Sequence, residues 1–474
     1  MTRYDAVVIG AGQAGPSVAF SHAGQGRRVA VVEMAQPGGT CLNHGCRPTK
    51  ALRASAVVAH SARRAAEFGV HVGEVRVDFG EAIGRVHRLI DGMRSGLQES
   101  LDATENLDYV HGRARLVGDP SGSEHRVLVT GDDGSEQELT TSEVYLNVGN
   151  RAAIPPIEGL EHVPYLTEVE LLALSELPTH LVIVGGGYIG LEFGQMFRRF
   201  GSQVTIVAGG GIAAHEDPDV QQILTDLFTS EGIRIVKGRP SRVGGDTSGV
   251  RVEVPDVGTI EGSHLLVATG RRSNSDQLGP DTGLETDEHG FVLTDDRFVS
   301  NLPGVWALGD VNGRGAFTHT SYQDGDIYLH PPRTVAGRVT TYAMFTDPPL
   351  GRVGMGLREA GESGRRVLKA EVPMASVSRA KLESETTGVM RVLVDGDSEE
   401  ILGATILGLQ ADDVVQVIGV AMQAGVRYPA VRDALPIHPT VSEFFPTILA
   451  ALEPLEGADG DPERAPSTTP SPAG

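Results

Sequence analysis

Only two cysteines occur in this sequence, and their close spacing makes them the first candidates for chemistry. Cys41 and Cys46 are separated by four residues in a chain of 474. Two cysteines are too few to form a framework of structural disulfides. In a reducing compartment, such a pair either binds a metal ion or undergoes reversible oxidation.

The surrounding sequence favours redox chemistry over metal binding. A structural zinc site would need a second pair of ligands at useful spacing, and the chain has no further cysteine. Two unrelated buried thiols are the other alternative. Arg47 and Lys50 follow Cys46 closely, and cationic neighbours lower the pKa of a thiol. We therefore predict a redox-active pair and no resident metal site.

A glycine-rich turn near the N-terminus predicts a dinucleotide site. Residues 10–15 read GAGQAG after an apolar run, and a helical stretch and a second apolar run to Glu33 follow. The glycines allow a tight turn and close approach of a pyrophosphate to the helix N-terminus. Glu33 lies at the distance expected for a partner of the ribose hydroxyls.

The same layout returns in the middle of the chain. Residues 185–190 read GGGYIG, and Ala208 occupies the position that Glu33 has in the first unit, because both lie 23 positions after the first glycine. Ala208 is followed by three glycines, so this stretch offers neither an acid for a free 2′-hydroxyl nor an arginine for a 2′-phosphate. We therefore expect weak discrimination between NADH and NADPH.

A histidine and a carboxylate near the C-terminus form a further candidate pair. His438 precedes Pro439, and Glu443 follows five positions after the histidine. A residue before proline is held extended, and proline starts a helix well, so His438 should project from a loop and Glu443 from the next turn. A histidine held by a carboxylate supplies protons to a thiolate near neutral pH.

Length and composition indicate the kind of protein that must position these residues. A chain of this size forms two to four domains, and 61 glycines with 27 prolines suit an α/β protein rich in turns. The formal net charge of −22 disfavours nucleic acid and anionic lipid as partners. No apolar stretch is long enough to span a membrane and no secretory signal is recognised, so we expect a soluble, cytoplasmic protein.

The order of the motifs predicts the domain organisation. We predict an α/β protein with two Rossmann-like dinucleotide-binding domains and a C-terminal α+β domain, because strand-like runs precede amphipathic helices after about residue 341. The polar end of the chain has little to bury and should be a disordered tail. The first dinucleotide-binding domain is predicted in two parts, 1–150 and 273–338, with the second dinucleotide-binding domain, 151–272, between them. The C-terminal α+β domain is predicted at 339–455 and the tail at 456–474.

The residues around the cysteines also carry a family resemblance. Residues 38–50 read GGTCLNHGCRPTK directly after the first dinucleotide unit. This motif resembles the redox-active disulfide of the class I pyridine nucleotide-disulfide oxidoreductases, or flavoprotein disulfide reductases. Residues 10–16, 348–354 and 378–380 are most similar to the mercuric-reductase-like branch, which includes the reactive-chlorine-resistance flavoprotein. The connection over residues 327–341 is shorter than in that family.

The resemblance implies cofactors and residue roles. It implies FAD at the first unit and NAD(P)H at the second, with Tyr188 as a lid over the nicotinamide and Lys50 and Glu192 as an ion pair beside the flavin. Asp310 matches the family's second FAD motif, and residues 112–114 match its adenine contact. The residues assigned to FAD are Gly10, Gly12, Gly15, Glu33, Gly39, Thr40, Lys50, Ala114, Gly149 and Asp310, and those assigned to NAD(P)H are Gly185, Gly187, Gly190, Ala208 and Gly270.

The resemblance also implies a reaction and an assembly. Cys46 would lie nearer the flavin and Cys41 would attack the electron acceptor, while His438 and Glu443 would serve the disulfide of the partner in a homodimer. We expect a reductase of a metal ion, a reactive oxidant or a small disulfide. The chain lacks the extra C-terminal cysteine pair of mercuric reductases. Dihydrolipoamide dehydrogenase and a flavin redox sensor with slow turnover remain alternatives.

Overall fold

A computed structural model of the protein describes residues 1–118, 122–279 and 282–455, and the predicted tail 456–474 lies outside these described residues. The predicted α/β architecture is confirmed. Within the described ranges, no helix has the length and apolar character needed to cross a membrane.

The first nucleotide-binding unit is built on a parallel five-stranded sheet. Its central strands are short apolar runs whose residues are almost fully buried, as expected for a sheet that is covered on both faces. In sheet order the strands are Val305–Ala307, Val144–Leu146, Ala6–Ile9, Val29–Glu33 and Leu107–His111. The helices of this unit are Gly15–Gly24, Gly39–Asn43, Cys46–Arg64, Phe79–Ala103 and Thr318–Leu329.

A second sheet completes this unit. Strands His125–Thr130 and Glu136–Thr141 form an antiparallel hairpin around the turn at residues 131–134. The remaining strands of this sheet are Thr2–Arg3 and Arg113–Val117.

The second nucleotide-binding unit repeats the parallel arrangement. In sheet order its strands are Tyr165–Leu166, His264–Val267, His180–Val184, Gln203–Ala208 and Arg234–Lys237, and its helices are Glu168–Leu172, Tyr188–Phe200 and Pro218–Ser230. An antiparallel sheet of Arg242–Asp246, Gly249–Val254 and Gly258–Gly262 packs beside it. Strands Asn150–Ala152 and Arg271–Ser273 pair where the chain passes between the two units.

The C-terminal unit is a six-stranded antiparallel sheet with helices. In sheet order its strands are Thr341–Met344, Leu350–Gly354, Ile401–Leu407, Val389–Asp395, Val367–Pro373 and Glu453–Pro454. Its helices are Leu357–Glu362, Ser378–Leu382, Ala411–Gln423, Tyr428–Arg432 and Phe444–Leu449. Short 3₁₀ helices elsewhere are Ala65–Phe68, Leu160–His162, Ser275–Leu278, Asp310–Asn312 and Met374–Ser376.

A buried charge cluster joins the C-terminal unit to the second nucleotide unit. Arg391 lies on a central strand of the C-terminal sheet, and its side chain is only 1% exposed. Its guanidinium group contacts Asp217 at 2.6 Å, Glu371 at 2.5 Å and also Asp219. Because Asp217 and Asp219 flank the start of helix Pro218–Ser230, the cluster fixes this helix against the C-terminal sheet.

The short connection after the first unit is ordered by its contacts. Eleven residues, 330–340, separate helix Thr318–Leu329 from strand Thr341–Met344. Between them, the Val335 N–H donates to the carbonyl of Asp296 at 3.0 Å, and Arg338 forms an ion pair with the buried carboxylate of Asp324. The connection therefore stays packed on the first nucleotide unit.

Candidate active site

The two cysteines lie at adjoining helix ends. Cys41 belongs to the short helix Gly39–Asn43, and Cys46 is the first residue of helix Cys46–Arg64. The partial positive charge of a helix N-terminus favours a thiolate at this position. Both side chains are free thiols that line one cavity of about 1160 Å³.

The environment of Cys46 strongly favours its thiolate. Its Sγ lies 3.1 Å from the hydroxyl oxygen of Thr318. Hydrogen bonding with Cys41, then with Thr318, and the charge of Lys50 lower the pKa of Cys46 to about 5, although burial opposes the shift. The same hydrogen bond, together with burial, raises the pKa of Cys41. The two thiols therefore have different environments, and the environment of Cys46 favours the thiolate more than that of Cys41 does.

A buried ion pair lies beside the thiols. The Nζ of Lys50 is 2.9 Å from Oε2 of Glu192, whose side chain is 4% exposed. The other oxygen of Glu192 accepts a hydrogen bond from the Phe345 N–H at 2.8 Å, and Lys50 Nζ lies 4.2 Å from the centre of the Phe345 ring. Both ends of the pair are thus fixed, which keeps a positive charge near Cys46.

An aromatic group covers the same part of the cavity. Tyr188 begins helix Tyr188–Phe200, and burial raises the pKa of its hydroxyl to about 12. Its ring centre lies 5.8 Å from that of Phe317, which in turn stacks on Tyr342 at 5.8 Å with an angle of 4°. Sequence reasoning found Tyr188 but missed the other two rings, because each comes from a distant segment without a recognisable motif.

The glycines of the first nucleotide turn allow close backbone approach. Gly10 has a φ of 98°, and a Cβ atom there would lie 2.4 Å from the carbonyl oxygen of Asn147. A Cβ atom at Gly12 would lie 2.7 Å from the side-chain oxygen of Asn147, which also accepts a hydrogen bond from the Gly15 N–H at 2.9 Å. Asn147 carries no motif, and sequence reasoning did not find it.

Glu33, at the end of strand Val29–Glu33, stabilises this turn through hydrogen bonds. The carboxylate of Glu33 accepts hydrogen bonds from the Ala11 N–H at 2.8 Å and from the Ala35 N–H at 2.9 Å. Glu33 also lines the cavity, which continues past Ala114 and Asp310 to the cysteines. Further predicted cofactor residues on the cavity wall are Gly10, Gly12, Gly39, Thr40, Lys50 and Gly149.

Asp310 lies in the middle of the cavity wall within a polar network. Burial raises the pKa of its carboxyl to about 7, while the charge of Arg271 and a hydrogen bond with Asn150 oppose this shift. Arg271 pairs with Glu168 at 2.7 Å and donates to the Asn150 side chain at 2.5 Å. A buried acid surrounded by such donors fits a partner with hydroxyl groups, such as the ribityl chain of FAD.

These features fit FAD. The glycine turn offers the close approach that a pyrophosphate requires, and Glu33 lies at the end of the strand where ribose hydroxyls are recognised. The cavity is long enough to include both Ala114 and Cys46 in one wall. The predicted cofactor residues of the first unit therefore form one continuous surface, with the exception of Gly15, which lies behind it in the helix.

The second glycine turn has the same construction. A Cβ atom at Gly185 would lie 2.0 Å from the carbonyl oxygen of Ala268, and one at Gly190 would lie 2.4 Å from that of Gly185. At Gly187 a Cβ atom would meet nothing within 4 Å, so the turn is open on that side. Gly270 has a φ of 115° after strand His264–Val267. Ala208 ends the second strand of this unit and is buried.

His438 and Glu443 meet each other away from the cavity. The Nδ1 of His438 lies 2.8 Å from Oε2 of Glu443, and the histidine is 76% exposed. The prediction that Pro439 starts a helix is wrong, because the helix begins at Phe444. The hydroxyl of Thr440 accepts a hydrogen bond from the Glu443 N–H at 3.2 Å, which stabilises a local turn in place of a helical one.

A dithiol between two nucleotide-binding turns is the arrangement of an NAD(P)H-dependent flavoprotein disulfide oxidoreductase, and comparison with known proteins agrees. The chain belongs to the pyridine nucleotide-disulphide oxidoreductase family, which matches residues 4–325. The dimerisation domain of the same family matches residues 340–448. The protein is therefore an oxidoreductase of a family that binds FAD and uses NAD(P)H.

Several characterised proteins are similar over nearly their whole length. A probable pyridine nucleotide-disulfide oxidoreductase, RclA of Escherichia coli, is 32% identical over 96% of this chain and 100% of its own. A mercuric reductase of Streptomyces lividans is 31% identical over 90% of this chain and 91% of its own. The solved Cu(II) complex of the HOCl-induced flavoprotein disulfide reductase RclA is 31% identical, with a TM-score of 0.85 over 95% of this chain and 100% of that one.

Proposed function

We propose that this protein takes electrons from NAD(P)H and delivers them, through FAD and the Cys41–Cys46 pair, to a thiol-reactive metal ion such as Cu(II) or Hg(II) or to a reactive chlorine oxidant. The observation that carries the proposal is the pair of thiols on the cavity wall, where Cys46 Sγ lies 3.1 Å from the Thr318 hydroxyl and the Lys50–Glu192 ion pair lines the same cavity. The similarity to RclA and to mercuric reductases supports this class of acceptor.

The residues of the cavity have separate tasks in this proposal. FAD, when bound, would supply the two-electron relay between the nicotinamide and the disulfide. The turn at Gly12 and the carboxylates of Glu33 and Asp310 would hold it along the cavity wall. Tyr188 would cover the nicotinamide pocket until the nucleotide enters, since it lines the cavity at the start of helix Tyr188–Phe200.

The dithiol would carry the electrons to the acceptor. Oxidation of the Cys41 thiol and the Cys46 thiolate to the disulfide releases two electrons and one proton, and two Cu(II) ions take up the electrons to become two Cu(I) ions. Thiolate sulfur is a good ligand for soft metal ions, so the low pKa of Cys46 would favour metal capture at neutral pH. Cys41 would be the thiol that the acceptor meets first.

We further propose that the enzyme is a homodimer with shared sites. His438 and Glu443 form a pair outside the cavity that holds the thiols, and its histidine is exposed in the single chain. Leu435 and Ile437, which precede the histidine, are 98% and 79% exposed, and exposed apolar side chains of this kind mark an interface. In the dimer, His438 would serve the dithiol of the partner.

A screen of electron acceptors tests the proposal. The purified FAD-loaded protein would be assayed with NADH and NADPH against Cu(II), Hg(II), hypochlorous acid, lipoamide, glutathione disulfide and dioxygen. We expect rapid turnover with a metal ion or with the oxidant, and its loss in Cys41→Ser and Cys46→Ser. Turnover that is as fast in both serine variants would show that the dithiol does not carry the electrons.

Dihydrolipoamide dehydrogenase is the second candidate function. Dihydrolipoyl dehydrogenases of two Chlamydia species are 30% and 31% identical over 95% and 96% of this chain. Lipoamide as the best acceptor by a wide margin would favour this alternative over the first.

A further inference from the structure

The tip of the second strand in the second nucleotide unit has basic neighbours that the local sequence does not reveal. Ala208 ends strand Gln203–Ala208 and pairs in register with Lys237, which ends the adjacent strand. The carbonyl of Ala208 accepts a hydrogen bond from the Gly238 N–H at 3.1 Å. The chain that leaves the adjacent strand therefore passes directly beside the tip.

Arg239 lies over the backbone of Gly209. A Cβ atom built on Gly209 would lie 2.7 Å from Cγ of Arg239 and 2.9 Å from its Nε. Contacts this short are not found between real side chains, so the arginine occupies the space that a side chain at position 209 would fill. Glycine at this position is what lets the guanidinium group reach the end of the strand.

The basic pair of Lys237 and Arg239 is not neutralised by any residue that the structure describes. Lys237 and Arg239 are both exposed, and neither forms an ion pair or a side-chain hydrogen bond with any of residues 1–118, 122–279 and 282–455. The next arginine along the chain, Arg242, in contrast pairs with Glu158 at 3.5 Å. Two positive charges are thus available at the strand tip.

The acidic residues in the connection that follows Ala208 are paired with residues of the C-terminal unit. Glu216 accepts a hydrogen bond from the hydroxyl of Tyr342 at 2.6 Å and lies 3.4 Å from Arg352. Asp217 pairs with the buried Arg391 at 2.6 Å. Both carboxylates are held by the C-terminal unit, so they do not neutralise the basic pair at Ala208.

In a dinucleotide fold, the end of this strand faces the 2′ position of the adenosine ribose, where an acid binds the hydroxyl of NAD and an arginine accommodates the phosphate of NADP. We propose that Arg239, assisted by Lys237, binds the 2′-phosphate and makes NADPH the preferred electron donor. The inference rests on the proposed use of a pyridine nucleotide and specifies which one. It replaces the weak discrimination expected from residues 208–211 alone.

Nucleotide fragments test the inference without turnover. Isothermal titration calorimetry of the FAD-loaded protein would compare adenosine 2′,5′-bisphosphate with adenosine 5′-monophosphate. We expect the bisphosphate to bind about tenfold more tightly or better, which corresponds to about 1.4 kcal/mol. The preference should grow between about pH 5.5 and pH 7.5, because the second phosphate ionisation has a pKa of about 6.

Three variants assign the effect to Arg239. Arg239→Gln should remove most of the preference for the bisphosphate. Gly209→Ala should do the same with the arginine intact, because the added methyl group displaces its side chain. Arg234→Gln is the matched control, since Arg234 is an exposed arginine at the other end of the same strand, and the preference should persist there.

Anaerobic stopped-flow reduction of the bound flavin gives a second measurement that needs no electron acceptor. The ratio of NADPH to NADH rates should fall about tenfold in Arg239→Gln. The inference would be overturned if the unmodified protein bound adenosine 2′,5′-bisphosphate and adenosine 5′-monophosphate equally. It would also be overturned if Arg239→Gln weakened the binding of both nucleotides by the same factor. A wrong electron acceptor leaves all these results unchanged, whereas flavin reduction by neither nucleotide would refute the proposed function itself.

Discussion

Lys50 and Glu192 form an ion pair of 2.9 Å whose two charges act on Cys46 in opposite directions. The positive charge of Lys50 lowers the pKa of Cys46 and the negative charge of Glu192 raises it, while the hydrogen bond with Cys41 has the largest effect. The pair therefore tunes the thiol, and each member can be removed separately to reveal its contribution.

Neutral replacements of Lys50 and Glu192 should shift the pKa of Cys46 in opposite directions. We expect Lys50→Gln to raise it and Glu192→Gln to lower it, each by about one pH unit, the lower end of the effect of a nearby charge. The measurement is the pH dependence of iodoacetamide labelling of Cys46 in the reduced protein, followed by mass spectrometry. Shifts in the same direction for both variants would show that they act by disturbing the fold.

The unmodified protein should label asymmetrically. Thiolates react and thiols do not, so labelling of Cys46 should rise through a midpoint near pH 5, while labelling of Cys41, whose pKa is raised, should begin only at a higher pH. Thr318→Val should raise the midpoint of Cys46, because it removes a hydrogen bond to the thiolate, and Thr318→Ser should restore it. A midpoint near the ordinary thiol value in the unmodified protein would contradict the predicted charge.

Mixed dimers test whether the sites are shared. His438→Ala and Cys41→Ser should each abolish activity in a homodimer. In a heterodimer of the two chains, one site has both defects and the other has neither, so activity should return to about half of the normal value per dimer, provided that sites act independently. If purified heterodimers remain inactive, His438 serves its own chain or has no part in catalysis.

Removal of the buried cation between the units should be costly. We expect Arg391→Met to lower the free energy of unfolding by about 3–5 kcal/mol, because it leaves Asp217 buried without its charged partner. Urea denaturation followed by tryptophan fluorescence and circular dichroism would measure this. Arg365→Gln, which removes a more exposed pair with Glu400, is the control and should cost less than about 1 kcal/mol. Equal losses in the two variants would show that the cluster has no special role.

Local patterns predicted the parts of this protein that depend on local backbone geometry. The two glycine turns and the strand ends at Glu33 and Ala208 follow from residues that are close in sequence. Contacts between distant segments were not predictable in this way. Phe317 approaches Tyr188 only because two separate units pack together.

The same limit explains why Arg239 was not found from the sequence and why one helix was expected at the wrong position. The sequence near residue 208 contains no basic residue, and Arg239 reaches this point only through the pairing of two parallel strands. The helix expected at Pro439 begins instead at Phe444, because the hydroxyl of Thr440 accepts a hydrogen bond from the Glu443 N–H. Residue preferences alone do not predict when such a side-chain hydrogen bond replaces a helical one.

The position of Arg391 also limits how the chain can be divided. The two family matches, residues 4–325 and 340–448, suggest a natural cut near residue 330. A C-terminal fragment made by such a cut would retain Glu371 but expose Arg391, whose side chain is 1% accessible in the whole protein. The N-terminal fragment would keep Asp217 and Asp219 without the charge of Arg391. The boundary between the two family matches therefore separates charges that neutralise one another, and swapping the C-terminal region for that of a relative should preserve the pairing of Asp217, Asp219 and Arg391.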